Sequence, residues 1–505
     1  MLTSASQCRS VWEDDAAILS LPPLVSSTSA DVCVVGAGVA GLTTAYLAAR
    51  EGTDVVLVDR SGIGSGETSR TTAHLSNVLD HPYSEVERDL GPRGVRLAAD
   101  SHAVAIDVIE AIARDERIAC DFLRLDGYLL ALPNESHDRL DREFAAAERA
   151  GLQHVEWVPE APLRSVATGP CLRFRNQAQF HPLKYLAGLS AALLKRRGRI
   201  YCGTTVSRID GRSVLTAGGL TISAQSIVVA TNTPIHENLL VHVKQSPYRT
   251  YVIAAEIPRG SVPMALYWDT ADPFHYVRLQ TGSPGRDLLI AGGEDHRTGD
   301  DDDGAERFDA LESWTRARFP IGRVTHRWSG QVMQSADGVG LIGHDIVDRP
   351  GVYLCTGDSG QGITHGTIAG LLITDLIRGR ENPWRQLYDP ARLPLQSSDF
   401  YQSGIDVLWH YAEWLTSGDV GTRGAINRSS GAVIREGLSK IAVYRDDAGQ
   451  TVEMSAVCPH LGCLVHWNSI EKEWECPCHG SRFDRHGGNL NGPAASPLAR
   501  IHRPR

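Results

Sequence analysis

The chain has 505 residues, 42% of them apolar and 22% charged, an ordinary globular balance and a length that predicts about three domains. Its formal net charge of −10 argues against a nucleic-acid partner, whose phosphates demand a basic face. No apolar run reaches the ~18 residues of a membrane span, and Met1–Pro23 has neither a basic region followed by an apolar stretch nor a twin arginine, so a cytoplasmic protein is expected.

Residues 1–29 are polar and turn-rich, a lead-in expected to pack on the surface. Asp31-Val-Cys-Val-Val35 then reads as a buried strand, followed by Gly36-Ala-Gly38-Val39-Ala40-Gly41, a helical pattern through Glu51, and a second strand, Asp54-Val-Val-Leu-Val58. Gly-x-Gly-x-x-Gly alone has little specificity, but here it joins a strand to a helix. Its glycines let the chain turn tightly and approach a pyrophosphate seated on the helix N-terminus. Asp59, with Arg60 beside it, can accept from ribose hydroxyls. NAD and FAD share this fingerprint. The next loop, Gly64–Asn77, which contains Ser69-Arg70-Thr71-Thr72-Ala73-His74, is rich in small hydroxyl residues. It resembles the segment of the D-amino-acid-oxidase-like (DAO) flavoproteins that crosses the FAD pyrophosphate toward the isoalloxazine ring.

Leu97–Arg114 has helical spacing of apolar residues, and Ser136–Ala150 reads as a mostly charged, surface-facing helix. His181 precedes Pro182 at the start of another helix and reads as a capping or core residue. The DAO resemblance extends to Gly203–Val206 and Ser226–Asn232. It implies that Val206 flanks the adenine and that Ala230 and Thr231 end a strand near the pyrophosphate. Residues 245–330 read as successive strands rich in β-branched and aromatic residues, similar to the family's antiparallel substrate domain. There Tyr276 and Arg278 share a strand face, a candidate clamp for a carboxylate, and His296 lies on a polar turn that could reach the same site. Asp300–Asp303 reads as a solvated loop tip. The strand Gly351–Thr356 runs into Gly357-Asp-Ser-Gly360-Gln361-Gly362-Ile363-Thr364 and a helix. This unit resembles the family's C-terminal FAD motif, in which a helix N-terminus stabilises reduced flavin. No motif for covalent flavin attachment is apparent, so noncovalent FAD is expected.

Residues 381–424 form a linker, with an aromatic-rich helix over Phe400–Trp414 expected to dock on the flavoprotein body. Beyond it stand Cys458-Pro-His460 and Cys476-Pro-Cys478-His479, with fifteen residues between the pairs. Two thiolates and two imidazoles suit a [2Fe–2S] cluster with Cys on one iron and His on the other, and also suit tetrahedral zinc. Together with Cys463, Cys478, Ser481 and Gly492-Pro493, these residues resemble the Rieske domain of the subclass with an extra disulfide. That resemblance implies an iron–sulfur cluster held by Cys458, His460, Cys476 and His479, and a Cys463–Cys478 disulfide. Phe483 stands where high-potential members carry Tyr. One donor toward a cluster sulfur is lost, so a potential below the upper end of the range of about −150 to +300 mV is expected. The other six cysteines lack metal spacing and read as reduced thiols.

The expected architecture is an α/β FAD-binding, Rossmann-like domain with an antiparallel-sheet substrate domain over residues 30–380, plus a small all-β Rieske domain over 425–505. The expected function is oxidation of a small substrate, an amine or amino acid, at FAD, with electrons passed singly through the cluster to an external acceptor. No catalytic base is named. An oxygen-using oxidase with a structural or regulatory cluster, a redox sensor, and electron flow from cluster to flavin are the alternatives.

Overall fold

The computed structural model describes residues 8–131, 137–163, 168–235, 239–346 and 349–501. An eight-stranded sheet is built around Thr28–Val35. Its residues Val32–Val35 pair in parallel with Val55–Val58 on one side and with Ser226–Val229 on the other. Val352–Leu354 extends the sheet by pairing with Ile227–Val229. Sequence blocks some 190 and 320 residues downstream of the first strand thus join it in one sheet, the nearer block beside it and the farther one beyond that. These strands are almost wholly apolar because both faces are covered. On one face the helices Val39–Arg50 and Gly362–Ile377 cross closely. A Cβ on Gly366 would stand 2.7 Å from Val39 Cγ1, and one on Gly370 2.7 Å from Thr43 Cγ2.

The second sheet has nine strands. Its long strand Gln245–Pro258 pairs antiparallel with Arg286–Arg297 and Val324–Ser335, and His275–Thr281 follows beyond Arg286–Arg297. The helix expected over Leu97–Arg114 begins earlier, at Tyr83, and bends at Gly91 (φ 71°), immediately before Pro92, whose ring cannot continue a regular helix. The helix expected over 136–150 runs Asp138–Arg149, and Ser136 lies outside the described residues. It is not wholly surface-facing: Leu140, Ala146, Ala147 and Glu143 are buried, and Glu143 accepts from the backbone N–H of Tyr83 at 2.8 Å.

The lead-in does not simply lie on the surface. Trp12 is fully buried, its indole N–H donates to the Thr71 carbonyl at 2.6 Å, and the Arg278 guanidinium stacks over its ring. Apolar area and an unpaired backbone carbonyl both favour insertion over solvent.

The C-terminal part has two small antiparallel sheets. One comprises Ser430–Glu436, Ser439–Arg445 and Thr451–Ser455; the other comprises His466–Asn468, Glu473–Glu475, Arg482–Asp484 and Asn489–Asn491. Trp474, Phe483 and Met454 fill the core between them. The connecting helix Ser398–Ala412 and the turn after it grip this part as well as the flavoprotein body. Tyr411 Oη donates to the Leu461 carbonyl at 2.5 Å, and Trp414 Nε1 to Gly462 at 3.2 Å. The acidic run also departs from a solvated tip. Asp302 accepts from Ser469 N at 2.7 Å, and Asp300 pairs with His410.

A buried charge network joins the two parts. Arg249 has no exposed surface and meets Glu473 at 2.7 Å, with Glu475 and Glu471 beside it. Arg70 pairs with Glu471 at 3.0 Å, and Arg482 pairs with Glu67. Glu473 and Glu475 share one face of their strand by its two-residue period, and Glu471 reaches the same guanidinium from the turn before it. Burial works to raise Glu471, but Arg70 and Arg249 overcome it and hold the group down to about 2.

Candidate flavin cavity and iron–sulfur centre

Where the two large sheets meet lies a cavity of about 1000 Å³. That is at the upper end of the ~300–1,000 Å³ usual for ligand pockets, enough for a large cofactor and a small substrate. Gly36, Gly38, Val39, Ala40, Asp59, Arg60, Arg70, Thr71, His74, Val206, Ala230 and Thr231 line it. Gly360, Gln361, Gly362 and Ile363 line it from the second helix, and Tyr276 from the substrate sheet. Two helix N-termini, at Val39 and Gly362, therefore open into one space, where a helix N-terminus can receive an anionic group; the Val39 N–H itself donates to Thr68 Oγ1 at 3.2 Å. Asp59 accepts from Ala37 N and Ser61 N, both at 2.8 Å, which pins the strand end against the glycine turn.

Five other candidates stand just behind the wall. A Cβ on Gly41 would run into the Gly36 carbonyl, so this glycine serves helix–turn packing. Ser69 Oγ donates to the Gly66 carbonyl at 2.8 Å, and Ala73 N to Thr71 Oγ1 at 3.0 Å, so both shape the loop. Gly357 takes φ +70° beside Gln245 and Ser335. Thr364 Oγ1 pairs with His102 Nδ1 at 2.8 Å.

Arg278 and His296 are not where the sequence reading put them. Arg278 is 1% exposed, and its Nη1 donates to the carbonyls of Thr72, Ala73 and Phe180 at 3.1, 2.9 and 3.0 Å. It braces the loop from behind and does not line the cavity; a buried guanidinium takes acceptors where it finds them. His296 pairs with Tyr251 Oη at 3.0 Å in the adjoining core, also away from the cavity.

The cavity also contains Asp358, from the second glycine-rich turn, and residues that no sequence pattern set apart: Asp80 and Asp295, with Trp268, Phe274 and Tyr248. Burial pushes each of these three carboxyls up to about 7. Asp80 accepts from Gln361 Nε2 at 2.7 Å. The cations lining the cavity are engaged: Arg70 with Glu471 and the Ser329 carbonyl, Arg482 with Glu67, Arg60 with Asn489 Oδ1 at 2.8 Å, and Arg139 with the Thr270 carbonyl at 2.6 Å.

Cys463 and Cys478 are disulfide-bonded, with Cα atoms 6.5 Å apart, and tie the two cluster loops together. Cys458 and Cys476 lie side chain to side chain, and Ser481 reaches Cys458. The rings of His460 and His479 stand 5.1 Å apart. Burial pushes His460 down to about 4 and His479 to about 3, leaving neutral imidazoles able to coordinate metal. Among the described residues, the metal-sized grouping is Cys463, Cys476 and Cys478, two of them disulfide-bonded. The two Cys and two His thus form a thiol pair and an imidazole pair and do not converge on one point, which fits a two-iron cluster better than a single tetrahedral zinc.

A dinucleotide cavity capped by a small β module with paired Cys and His defines a flavin-dependent oxidoreductase carrying an iron–sulfur centre. Residues 31–376 match the FAD dependent oxidoreductase family and residues 414–502 match the Rieske [2Fe-2S] domain. The chain belongs to the FAD dependent oxidoreductase family, carries a Rieske domain, and uses FAD and a [2Fe–2S] cluster. It is similar along nearly its whole length to a Bacillus subtilis (strain 168) protein, YhfW, whose name describes a Rieske 2Fe-2S iron-sulfur protein. The two are 28% identical over 497 residues, 97% of each chain. It is 27% identical over 372 residues to the gamma-glutamylputrescine oxidoreductase of Escherichia coli (strain K12), covering 70% of this chain and 85% of that one. In fold it resembles glycine oxidase from Geobacillus kaustophilus, with a TM-score of 0.61 at 20% identity over 72% of this chain and 99% of that one. No helix among the described residues is long and apolar enough to cross a membrane.

Proposed function

We propose that this protein oxidises a small cationic amine and that the electrons leave singly through the Rieske domain to an external acceptor. The observation that carries the reading is a shared wall. Asn491, Gly492, Ala494 and Ala495 of the Rieske domain line the same cavity as Gly38 and Tyr276. Ala494 N donates to Ser481 Oγ at 3.0 Å, and Ser481 reaches Cys458, so one loop separates the cavity from the centre. In this reading Cys458 and Cys476 hold one iron and His460 and His479 the other. The helix N-termini at Val39 and Gly362 and the Ser69–His74 loop hold FAD. The flavin takes electrons in pairs and the cluster takes them one at a time.

Substrate class follows from the cavity's charge. Asp80 and Asp295 influence one another electrostatically, and Asp295 lies near Tyr276. A protonated amine would find two carboxylates there, with Tyr276, Phe274 and Trp268 offering aromatic faces. With Arg278 turned away and the lining guanidiniums engaged, a carboxylate clamp finds little support. The name of the E. coli relative points to an amine-bearing substrate as well.

The test is anaerobic mixing with a panel of monoamines, diamines and amino acids, following flavin and cluster absorbance separately. Flavin bleaching by amines, then cluster reduction, is expected. Bleaching without cluster reduction, or stoichiometric hydrogen peroxide in air, rejects the relay. Bleaching by amino acids alone rejects the cationic amine.

A further inference from the structure

A third imidazole, from the flavoprotein, stands against the two of the cluster loops. His242 ends the short helix Leu239–His242, just before strand Gln245–Pro258. Its ring is 1% exposed. It meets the His460 ring at 4.8 Å and 78°, and the His479 ring at 5.7 Å and 61°. His460 and His479 themselves meet at 5.1 Å and 88°. Each contact is edge-to-face, within the ~4.5–7 Å range over which aromatic rings hold one another's orientation. One side of this three-ring group thus comes from a segment more than 200 residues distant in sequence.

Burial differs between the two cluster imidazoles. His460 is partly exposed, whereas His479 is 2% exposed and its Nε2 has no hydrogen-bond partner among the described residues. A ligand's outer surroundings orient it and tune its metal, and solvent access is one of the levers on cluster potential. The reduced cluster carries one more negative charge than the oxidised one, so a site kept dry disfavours reduction.

We propose that His242 is a positioning residue for the cluster: its ring fixes the planes of His460 and His479 and seals the His479 side from water, so that docking of the flavoprotein sets the cluster's potential. This rests on the assignment of His460 and His479 as ligands.

The test compares wild type, His242→Ala and His242→Phe as full-length, cluster-loaded protein, by redox titration and EPR of the reduced cluster. His242→Ala opens the seal and is expected to raise the reduction equilibrium constant about tenfold, about 59 mV for a one-electron couple, and to shift the g-values. His242→Phe keeps a packed ring and is expected to stay near wild type. Loss of the cluster from His242→Ala with its retention in His242→Phe supports the proposal equally. A wild-type potential and g-values in His242→Ala overturn it. Loss of the cluster from both variants also overturns it, because Phe preserves the ring packing on which it rests. A wild-type protein with no Rieske signal would instead refute the ligand assignment, which separates the two failures.

Discussion

Gln331 Nε2 donates to the carbonyl oxygen of Gly480 at 3.0 Å. The first residue lines the flavin cavity and the second follows His479, so one hydrogen bond spans from the cofactor wall to the cluster loop. Replacing Gln331 with Leu leaves the buried carbonyl without its donor, a loss of about 1–3 kcal/mol. The variant is expected to slow cluster reduction more than flavin reduction. Stopped-flow traces at the two absorbance bands would reveal this; equal slowing of both would count against a transfer role for this contact.

Substituting Arg249 by Met strips the shared partner from Glu473 and Glu475 in a fully buried setting. Breaking a buried pair from one side costs about 3–5 kcal/mol. A fall of that size in the unfolding free energy from chemical denaturation is expected, and the loss should be smaller when Glu473 is also replaced by Gln.

Cys463 and Cys478 close a loop with a sequence separation of 15. Loops of this length confer about 3 kcal/mol through restriction of the unfolded chain. The Cys463→Ser, Cys478→Ser double variant should lose that much stability and shed its visible Rieske absorption sooner on heating than wild type.

Asp80 and Asp295 are each raised to about 7 by burial. A raised carboxyl is neutral below that pH and charged above it, so attraction for a cationic amine should appear as pH rises through about 7 and vanish below. The measurement is kcat/KM against pH. Asp295→Asn should flatten this limb, and an unchanged profile would remove Asp295 from substrate recognition.

Replacing His460 or His479 with Leu should abolish the Rieske absorption and EPR signal while the flavin spectrum persists. A surviving signal would show that other residues hold the irons.

Local chemistry was legible in the sequence wherever a short motif carried it. The turn Gly36–Gly41 and the motifs Cys458/His460 and Cys476/His479 are each set by residues a few positions apart; in the structure Gly36 and Gly38 line the cavity, Cys458 lies beside Cys476, and His460 beside His479. What depends on packing between distant segments was not legible. Two-residue alternation does put Tyr276 and Arg278 on one side of their strand, but only the cavity boundary separates a lining ring from a guanidinium buried on the Thr72 and Ala73 carbonyls. Trp12, Asp80, Asp295 and His242 carry no spacing signal because their partners lie in other elements. Glu473 and Glu475 fall on one face of their strand, and a charged strand face ordinarily points to water, whereas this one faces Arg249.

The clamp around Arg249 has a kinetic corollary. In the proposed relay a module held by these buried charges stays in place, and a redox carrier would come to a stationary outlet. Since the cluster would hand over one electron per encounter, each substrate molecule oxidised would call for two successive visits to that outlet.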